Sequence, residues 1–354
     1  MFLAFKELGQ SKLRYTLISL IMIAVLFLVF FISGLANGLG FGDSAAVRNL
    51  AADHVVLNEE AEGAIIGSNL SEDQFDEIEA KLDRDFSPLS VTMMTSFSSN
   101  EEEVDVTYFS VDTESYPDIE IAEGKNINEL TGNEVIIDES IKNDGFSLKD
   151  TVTDKNTGKE LIIAGFSKDQ LYSNIPVAYA SLEAGLSMNP NQGTSYNAVL
   201  YSGEKVDVDG FETLTIGEAV KSIPGYTETQ GSLKMIVVFL FIISAFVSTV
   251  FFYVITIHKL NQLGVLKAIG ATTGYIARSI MIQVGLLTMI GLVFSGSLVY
   301  GMTRLIPEDM PFRLTPELML GTAGLFLALN LLGALLSVYQ VAKTDALEAI
   351  GRAE

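Results

Sequence analysis

The sequence predicts a membrane protein with four transmembrane α-helices and one α+β extracytoplasmic domain between the first and second spans. The spans are predicted because four runs of 21 to 23 residues contain no Asp, Glu, Lys, Arg or His, and about 20 apolar residues cross a bilayer as a helix. The domain is predicted because residues 37–230 mix helical and strand patterns and are numerous enough to build a core of their own. The four runs are Tyr15–Leu35, Met235–Ile257, Ser279–Tyr300 and Leu318–Tyr339.

The negative charge of the chain is concentrated in the predicted soluble domain. Residues 37–234 hold 37 acidic and 12 basic residues, a net charge of −25, whereas the rest of the chain carries +3. This charge argues against nucleic acid as a partner and predicts repulsion from an anionic lipid surface. A solvated acidic exterior and a specific cation-binding surface both remain open.

The basic residues beside the spans predict the orientation, because cytoplasmic loops are enriched in Lys and Arg. The N-terminal apolar run is too long for the core of a signal peptide, which has about 7–15 residues, and is predicted to be an uncleaved anchor in the cell membrane. The N-terminus, the C-terminus and the connector between the second and third spans are therefore predicted to be cytoplasmic, and the acidic domain to be extracellular. The basic residues are Lys6, Lys12, Arg14, Lys259, Lys267, Arg278, Lys343 and Arg352.

These patterns divide the chain into nine predicted segments. Transmembrane helices are predicted at 15–36, 231–257, 279–301 and 318–340, and the α+β domain at 37–230. Cytoplasmic segments are predicted as an interfacial helix at 1–14, a helical connector at 258–278 and a terminal helix at 341–354, with an outer loop at 302–317.

Several local patterns give sharper expectations. A glycine-rich run after the first span either breaks its helix or lets it pack tightly, and a separate helix is predicted at Ala45–Ala52. Ser71 is predicted to cap a helix, and Glu134–Asp138 to form a strand. Gln283 and Asn330 are expected to form hydrogen bonds across helices. The glycines are Gly34, Gly38, Gly40 and Gly42.

The chain lacks the usual signatures of catalysis, so no catalytic residue, metal ligand or permanently bound cofactor is predicted. It has no cysteine, and the predicted topology places His54 and His258 on opposite sides of the membrane, too far apart for a shared metal. No phosphate-binding loop follows the G-x-x-x-x-G-K-[ST] pattern, and the spans hold no ionisable residue that would relay ions. Energy for any transport must therefore come from another polypeptide.

The connector His258–Ser279 is basic and is predicted to hold one short amphipathic helix, Leu263–Ile269, which Gly270 ends. Its sequence NQLGVLKAIGATTGYI resembles the cytoplasmic helix of the FtsX/MacB-type ABC transporter permeases. Gln262 replaces the acidic residue of that pattern, but Gly264, Lys267, Ala268, Gly270 and Ala271 match it. The segments Asn133–Thr153 and Ala342–Ile350 also resemble that family.

This resemblance implies a permease that acts as a homodimer with two copies of a separate ABC ATPase, which binds the ATP. It assigns contact with the ATPase to the connector helix, whereas simple positive-inside anchoring also explains Lys267. The implied coupling residues are Leu263, Gly264, Leu266, Lys267, Ala268 and Gly270.

The length of the chain and its start, MFLAFKELGQSKLRYTLI, are most similar to the haem-exporter branch of the family, the HrtB-like permeases of Gram-positive bacteria. That resemblance implies haem as the substrate, with Tyr226, Glu228 and Tyr172 as candidate contacts. Alternatively, Tyr226 anchors a helix at the interface, Glu228 is a surface acid and Tyr172 belongs to the core. Alternative functions are export of a peptide or lipid, and non-transporting regulation of cell-wall hydrolases as in FtsX-like members.

Overall fold

The computed structural model describes residues 12–99, 102–116, 118–188, 195–258, 262, 264–265, 269–307 and 310–343. The predicted terminal helix and most of the predicted N-terminal interfacial helix lie outside these ranges. The chain divides into two compact units: Met1–Gly38 with Gly231–Glu354, here called the membrane unit, and Leu39–Gln230, here called the outer unit.

Long apolar helices dominate the membrane unit. In the described part of the chain, four helices are long and apolar enough to cross a membrane, namely α1, α5, α6 and α7. Together with the α+β outer unit they confirm the predicted fold class. The helices are α1 Lys12–Arg48, α2 Glu72–Lys81, α3 Leu182–Met188, α4 Ile216–Lys221, α5 Tyr226–His258, α6 Thr273–Thr303 and α7 Pro316–Lys343.

One of the two predicted polar contacts between membrane helices is present. Gln283 on α6 accepts a hydrogen bond from the Tyr15 hydroxyl on α1, at 3.2 Å, which confirms the prediction for Gln283. The prediction for Asn330 is wrong, because its side-chain Nδ2 donates to the Phe326 carbonyl one turn earlier in the same helix, at 2.8 Å. A side-chain amide in a helix can donate to a carbonyl of its own helix. A polar residue in a span therefore does not by itself indicate a bond to another helix.

A loop packs against the glycines at the outer end of the first span. A Cβ added at Gly34 would lie 2.5 Å from the Phe312 ring, and one at Gly38 would lie 2.2 Å from the Pro311 carbonyl oxygen. The Arg313 amide donates to the Gly34 carbonyl at 3.1 Å. We call residues 311–313 the outer hook. The glycines therefore let residues 311–313 pack closely against α1. They do not break the helix, because glycine tolerates a helix end but does not force one.

The continuity of α1 corrects one prediction. The separate helix expected at Ala45–Ala52 does not form, since α1 runs without interruption to Arg48. Ala45, Ala46 and Val47 are completely buried in the outer unit. Burial of this apolar turn favours extension of α1 into the core of the outer unit over a new helix start.

A mixed sheet forms most of the outer unit. Its order is β13-β1-β12-β3-β4-β10-β6-β8-β5. Because β7 pairs with both β3 and β8, a closed ring forms from β3, β4, β10, β6, β8 and β7. Phe97, Tyr108 and Ile163 fill that ring. The strands are β1 His54–Asn58, β2 Leu70–Ser71, β3 Phe86–Ser99, β4 Glu102–Val111, β5 Ile121–Gly124, β6 Glu134–Asp138, β7 Thr151–Asp154, β8 Glu160–Ser167, β9 Leu171–Tyr172, β10 Ile175–Ser181, β11 Ser195–Tyr196, β12 Ala198–Tyr201 and β13 Phe211–Thr215.

Predictions in the outer unit that depend only on neighbouring residues in the sequence are confirmed. Ser71 caps α2, and its side chain and that of Gln74 bond reciprocally to each other's backbone amides, which confirms the predicted cap. The strand Glu134–Asp138 is present with the predicted bounds. Closure of the ring through β7 was not predicted, because it depends on pairing between strands far apart in the chain.

Candidate functional site

Tyr226 is the first residue of α5 and contacts the last turn of α1 inside the outer unit. Gly225 precedes it with φ +78°, a conformation that favours glycine and turns the chain into the helix. The Tyr226 hydroxyl accepts a hydrogen bond from Nη2 of Arg48, whose Cζ lies 5.9 Å from the centre of the tyrosine ring. Arg48 also donates from Nε to the Ser44 hydroxyl at 2.7 Å. The ends of α1 and α5 therefore meet at one arginine–tyrosine pair.

Glu228 lies two residues further along α5 and is exposed. Residues separated by two positions in a helix point to different sides. Tyr226 and Glu228 of one chain therefore do not face a common ligand.

Tyr172 lies in the core of the outer unit. Its ring is 1% exposed and packs edge-on against Phe109, with 5.8 Å between the ring centres. Its buried hydroxyl has no hydrogen-bond partner among the described residues. Burial raises the pKa of the Tyr172 phenol to about 12, so the group is neutral at physiological pH.

The turn that follows Tyr172 is bonded to α1. Ser173 and Asn174 have positive φ values of 52° and 61°, and their backbone amides donate to the carbonyls of Asp43 at 3.0 Å and Gly42 at 2.9 Å. A Cβ at Gly42 would lie 2.1 Å from the Asn174 side-chain oxygen. Two of the predicted substrate contacts, Tyr172 and Tyr226, are thus brought to the last two turns of the same helix.

The connector between α5 and α6 is described at a few positions. Gln262, Gly264 and Val265 are helical, and the Ile269 amide donates to the Val265 carbonyl at 3.1 Å, as expected in a helix. Gly270 has φ +102°, which agrees with a helix ending there. Predicted coupling residues that lie outside the described residues are Leu263, Leu266, Lys267 and Ala268.

Val265 and Ile269 are two connector residues that the sequence reasoning did not select. Their side chains are 54% and 77% exposed, and four positions along a helix place them on the same face. The apolar residues at this spacing were a signal that could have identified them. The connector therefore presents an apolar pair that another protein surface can cover.

Exposed apolar side chains are distributed unevenly between the two units. In the part of the chain that the structure describes, every large apolar side chain that is exposed belongs to the membrane unit, and none lies in residues 39–230. The described surface of the outer unit is instead polar and acidic. A hydrophobic ligand would therefore find its apolar surface in the membrane unit.

Comparison with known proteins decides the family. Residues 234–346 match the family model for the FtsX-like permease C-terminal region. A putative hemin transport system permease protein HrtB of Staphylococcus haemolyticus is 31% identical over 99% of this chain and 99% of its own. The chain belongs to the FtsX-like permease family. A protein of the same description from Staphylococcus epidermidis is 29% identical, again over 99% of both chains.

Membership confirms the resemblance that the connector motif indicated. This permease is a subunit of an ABC transporter, located in a membrane and partnered by an ATPase. Two solved domain structures are also similar to it. The periplasmic region of MacB from Actinobacillus actinomycetemcomitans has 13% identity and a TM-score of 0.35 over 50% of this chain and 95% of its own. The extracellular domain of YknZ from Gram-positive bacteria has 16% identity and a TM-score of 0.32 over 44% and 85%.

Proposed function

We propose that this permease exports haem from the membrane, driven by a separate ABC ATPase. The observation that carries the proposal is the match along the whole chain, at 31% and 29% identity, to relatives named as hemin transport permeases. The distribution of apolar surface supports it, because haem partitions into lipid and the exposed apolar side chains of the described chain all lie in the membrane unit. Haem is here the cargo, and no resident cofactor is proposed.

The proposed assembly is a homodimer of the permease with two copies of the ATPase, with both termini and the connector in the cytoplasm and the outer unit outside the cell. The basic residues that flank the spans support this orientation.

The connector is the proposed contact with the ATPase, through the predicted coupling residues and the exposed pair Val265 and Ile269. When ATP closes the two ATPases, the connector is pushed and α5 carries the movement. The helix is suited to this role because its 33 residues from Tyr226 to His258 are continuous, a length of roughly 50 Å.

Tyr226 is the preferred haem contact of the three candidates. It is half-buried and starts a membrane-crossing helix, and Arg48 fixes the direction of its hydroxyl. Haem iron accepts a tyrosine ligand. Tyr172 requires the core to open before its hydroxyl can be reached, and Glu228 serves only a haem bound on another side of α5.

A deletion strain tests the substrate. Cells without the permease should grow less than the parent in the presence of haem and should contain more membrane haem, because efflux is lost. The intact gene should restore both, and a gene carrying Tyr226→Phe should restore them only in part. Haem sensitivity and haem content equal to those of the parent would remove haem as the substrate and leave the family assignment in place.

Substitution in the connector tests the ATPase contact. Ile269→Asp places a charge in the exposed apolar pair and should reduce co-purification of the ATPase at least tenfold, since burying an unpaired charge at an interface costs about 2 kcal/mol or more. Gln262→Ala, at an exposed helical position of the same connector, is the matched control and should bind the ATPase normally. Lys267→Glu combined with Gly264→Glu tests the motif residues in the same assay. Undiminished co-purification with Ile269→Asp and with the double variant would contradict this contact.

A further inference from the structure

A groove of about 440 Å³ runs between α1 and α6 in the membrane unit. The two helices lie side by side and point in the same direction, because Tyr15 of α1 bonds to Gln283 of α6 and, further along both helices, Leu26 lies against Gly291. The residues that line the groove come from one face of each helix. The groove therefore follows the axes of the two helices.

The walls of the groove change from polar to apolar along its length. The end near Tyr15 carries the hydroxyl groups of Thr16 and Ser19, whereas Ile23 of α1 and Phe294 of α6 line the other end. From Tyr15 to Ile23 the helix rises about 12 Å, which is most of the roughly 15 Å that one leaflet contributes to the hydrocarbon core of a bilayer. The groove thus has the length and the polarity to hold the acyl chain of a lipid within one leaflet.

The groove is open at its apolar walls. Leu20 and Phe294, which line it, remain 61% and 58% exposed, so an occupant would cover apolar surface that is otherwise open. Within a membrane the available occupants are a lipid, the hydrophobic cargo and a second copy of the permease. The charge near the groove distinguishes among them.

A basic residue lies just beyond the polar end of the groove. Helix α1 begins at Lys12, and position 12 shares a helical face with Thr16, Ser19 and Ile23, which follow it by four, seven and eleven residues. In the orientation proposed above, this end of α1 lies at the cytoplasmic surface. The cytoplasmic leaflet is rich in anionic lipids, and basic pockets between transmembrane helices on that side bind their headgroups.

We propose that the groove binds one anionic phospholipid of the cytoplasmic leaflet. Its acyl chain lies along Leu287 and Phe294, its ester groups reach the hydroxyls of Thr16 and Ser19, and its phosphate pairs with Lys12. Such a lipid contacts both α1 and α6, so its binding stabilises their packing. The inference rests on the proposed orientation of α1 but not on haem as the cargo.

Native mass spectrometry of the full-length permease in detergent tests the site. Delipidated permease is incubated with equal amounts of phosphatidylglycerol, which is anionic, and phosphatidylcholine, which is zwitterionic and carries the same acyl chains. The wild type should retain one phosphatidylglycerol per copy and about fivefold less phosphatidylcholine. This ratio is expected because one lysine near an anionic headgroup contributes about 1 kcal/mol, and 1.4 kcal/mol corresponds to a factor of ten.

A pair of charge variants tests the position of the headgroup. Lys12→Gln should remove the preference, so that the two lipids are retained equally. Arg278→Gln is the matched control, since Arg278 is an exposed basic residue near the same end of α6 but lies about two and a half turns before Leu287, on the opposite side of that helix from the groove. The control should keep the preference of the wild type.

A pair of size variants tests the position of the acyl chain. Ser19→Phe places a ring in the groove and should reduce retention of phosphatidylglycerol several-fold. Leu28→Phe adds the same ring on α1 beyond the groove, at a position that is 45% exposed, and should leave retention unchanged. If Ser19→Phe does not fold, the two charge variants decide the question.

Three outcomes would overturn the proposal: equal retention of the two lipids by the wild type, an equal loss of preference in Lys12→Gln and Arg278→Gln, or wild-type retention in a folded Ser19→Phe. Displacement of the phospholipid by added haem would assign the groove to the cargo, and a monomeric Ser19→Phe permease would assign it to a second copy; either result also overturns the proposal. The test needs no bilayer, ATPase or transport. Failure of the proposed export or orientation would therefore leave these measurements unchanged.

Discussion

The hydroxyls of Tyr172 and Tyr179 differ in whether a partner is present. Tyr179 donates to the Gln170 side-chain oxygen at 2.7 Å, whereas the Tyr172 hydroxyl is buried and unpaired among the described residues. Tyr172→Phe should therefore stabilise the outer unit by about 1 kcal/mol, and Tyr179→Phe should destabilise it by about 1–2 kcal/mol. Urea unfolding of the outer unit measures both changes, and a clear loss of stability in Tyr172→Phe would show that its hydroxyl has a partner.

Tyr172→Phe should also alter how the stability of the outer unit responds to alkaline pH. The pKa of Tyr172 is raised by burial from 10.0 to about 12, so between these values the folded state holds a proton that the unfolded state has lost. Below pH 10 the phenol is protonated in both states, so it adds no pH dependence, and the free energy of unfolding falls as the pH rises from 10 towards 12. Tyr172→Phe should therefore show a smaller loss of stability than the wild type over this range. Equal slopes in the two proteins would contradict burial of the phenol.

Among the elements, the outer hook depends on the absence of a side chain at Gly38. Gly38→Ala places a methyl group 2.2 Å from the Pro311 carbonyl oxygen and should destabilise the membrane unit by about 1–3 kcal/mol. Gly321→Ala is the matched control, since no atom lies within 4 Å of its added Cβ in α7 and alanine favours a helix by about 0.5–1 kcal/mol. Thermal unfolding in detergent should thus give midpoints that move in opposite directions. A midpoint in Gly38→Ala equal to that of the wild type would mean that the hook does not hold α1.

For the whole molecule, the distribution of exposed apolar side chains predicts where copies associate. In the described chain these side chains are absent from the outer unit, and a stable interface usually needs a buried apolar centre. Residues 39–230, produced alone, should therefore be a monomer at micromolar concentration by light scattering after gel filtration, whereas the full chain in detergent should be a dimer. A dimer of the isolated outer unit would place the interface there instead.

The part of the fold that could be predicted from sequence is the part set by composition and local backbone chemistry. The apolar runs gave the four helices because a bilayer demands uninterrupted apolar length, and Ser71 gave a helix start because its side chain bonds nearby amides. The closure of the ring through β7 and the unbroken path of α1 through its glycines depend on distant partners. For the same reason the sequence does not indicate that Arg48 is the partner of Tyr226, since 178 residues separate the two.

The outer hook also has a consequence for biosynthesis. Asn37 donates to the Arg313 carbonyl across 276 residues of sequence, so α1 enters the membrane long before its partner has been translated. During that interval the glycine surface of α1 has no hook to cover it, and the bundle is completed only when residues 311–313 emerge. A chain interrupted before the hook therefore leaves an incompletely packed helix in the membrane, and cells remove incompletely folded proteins with chaperones and proteases.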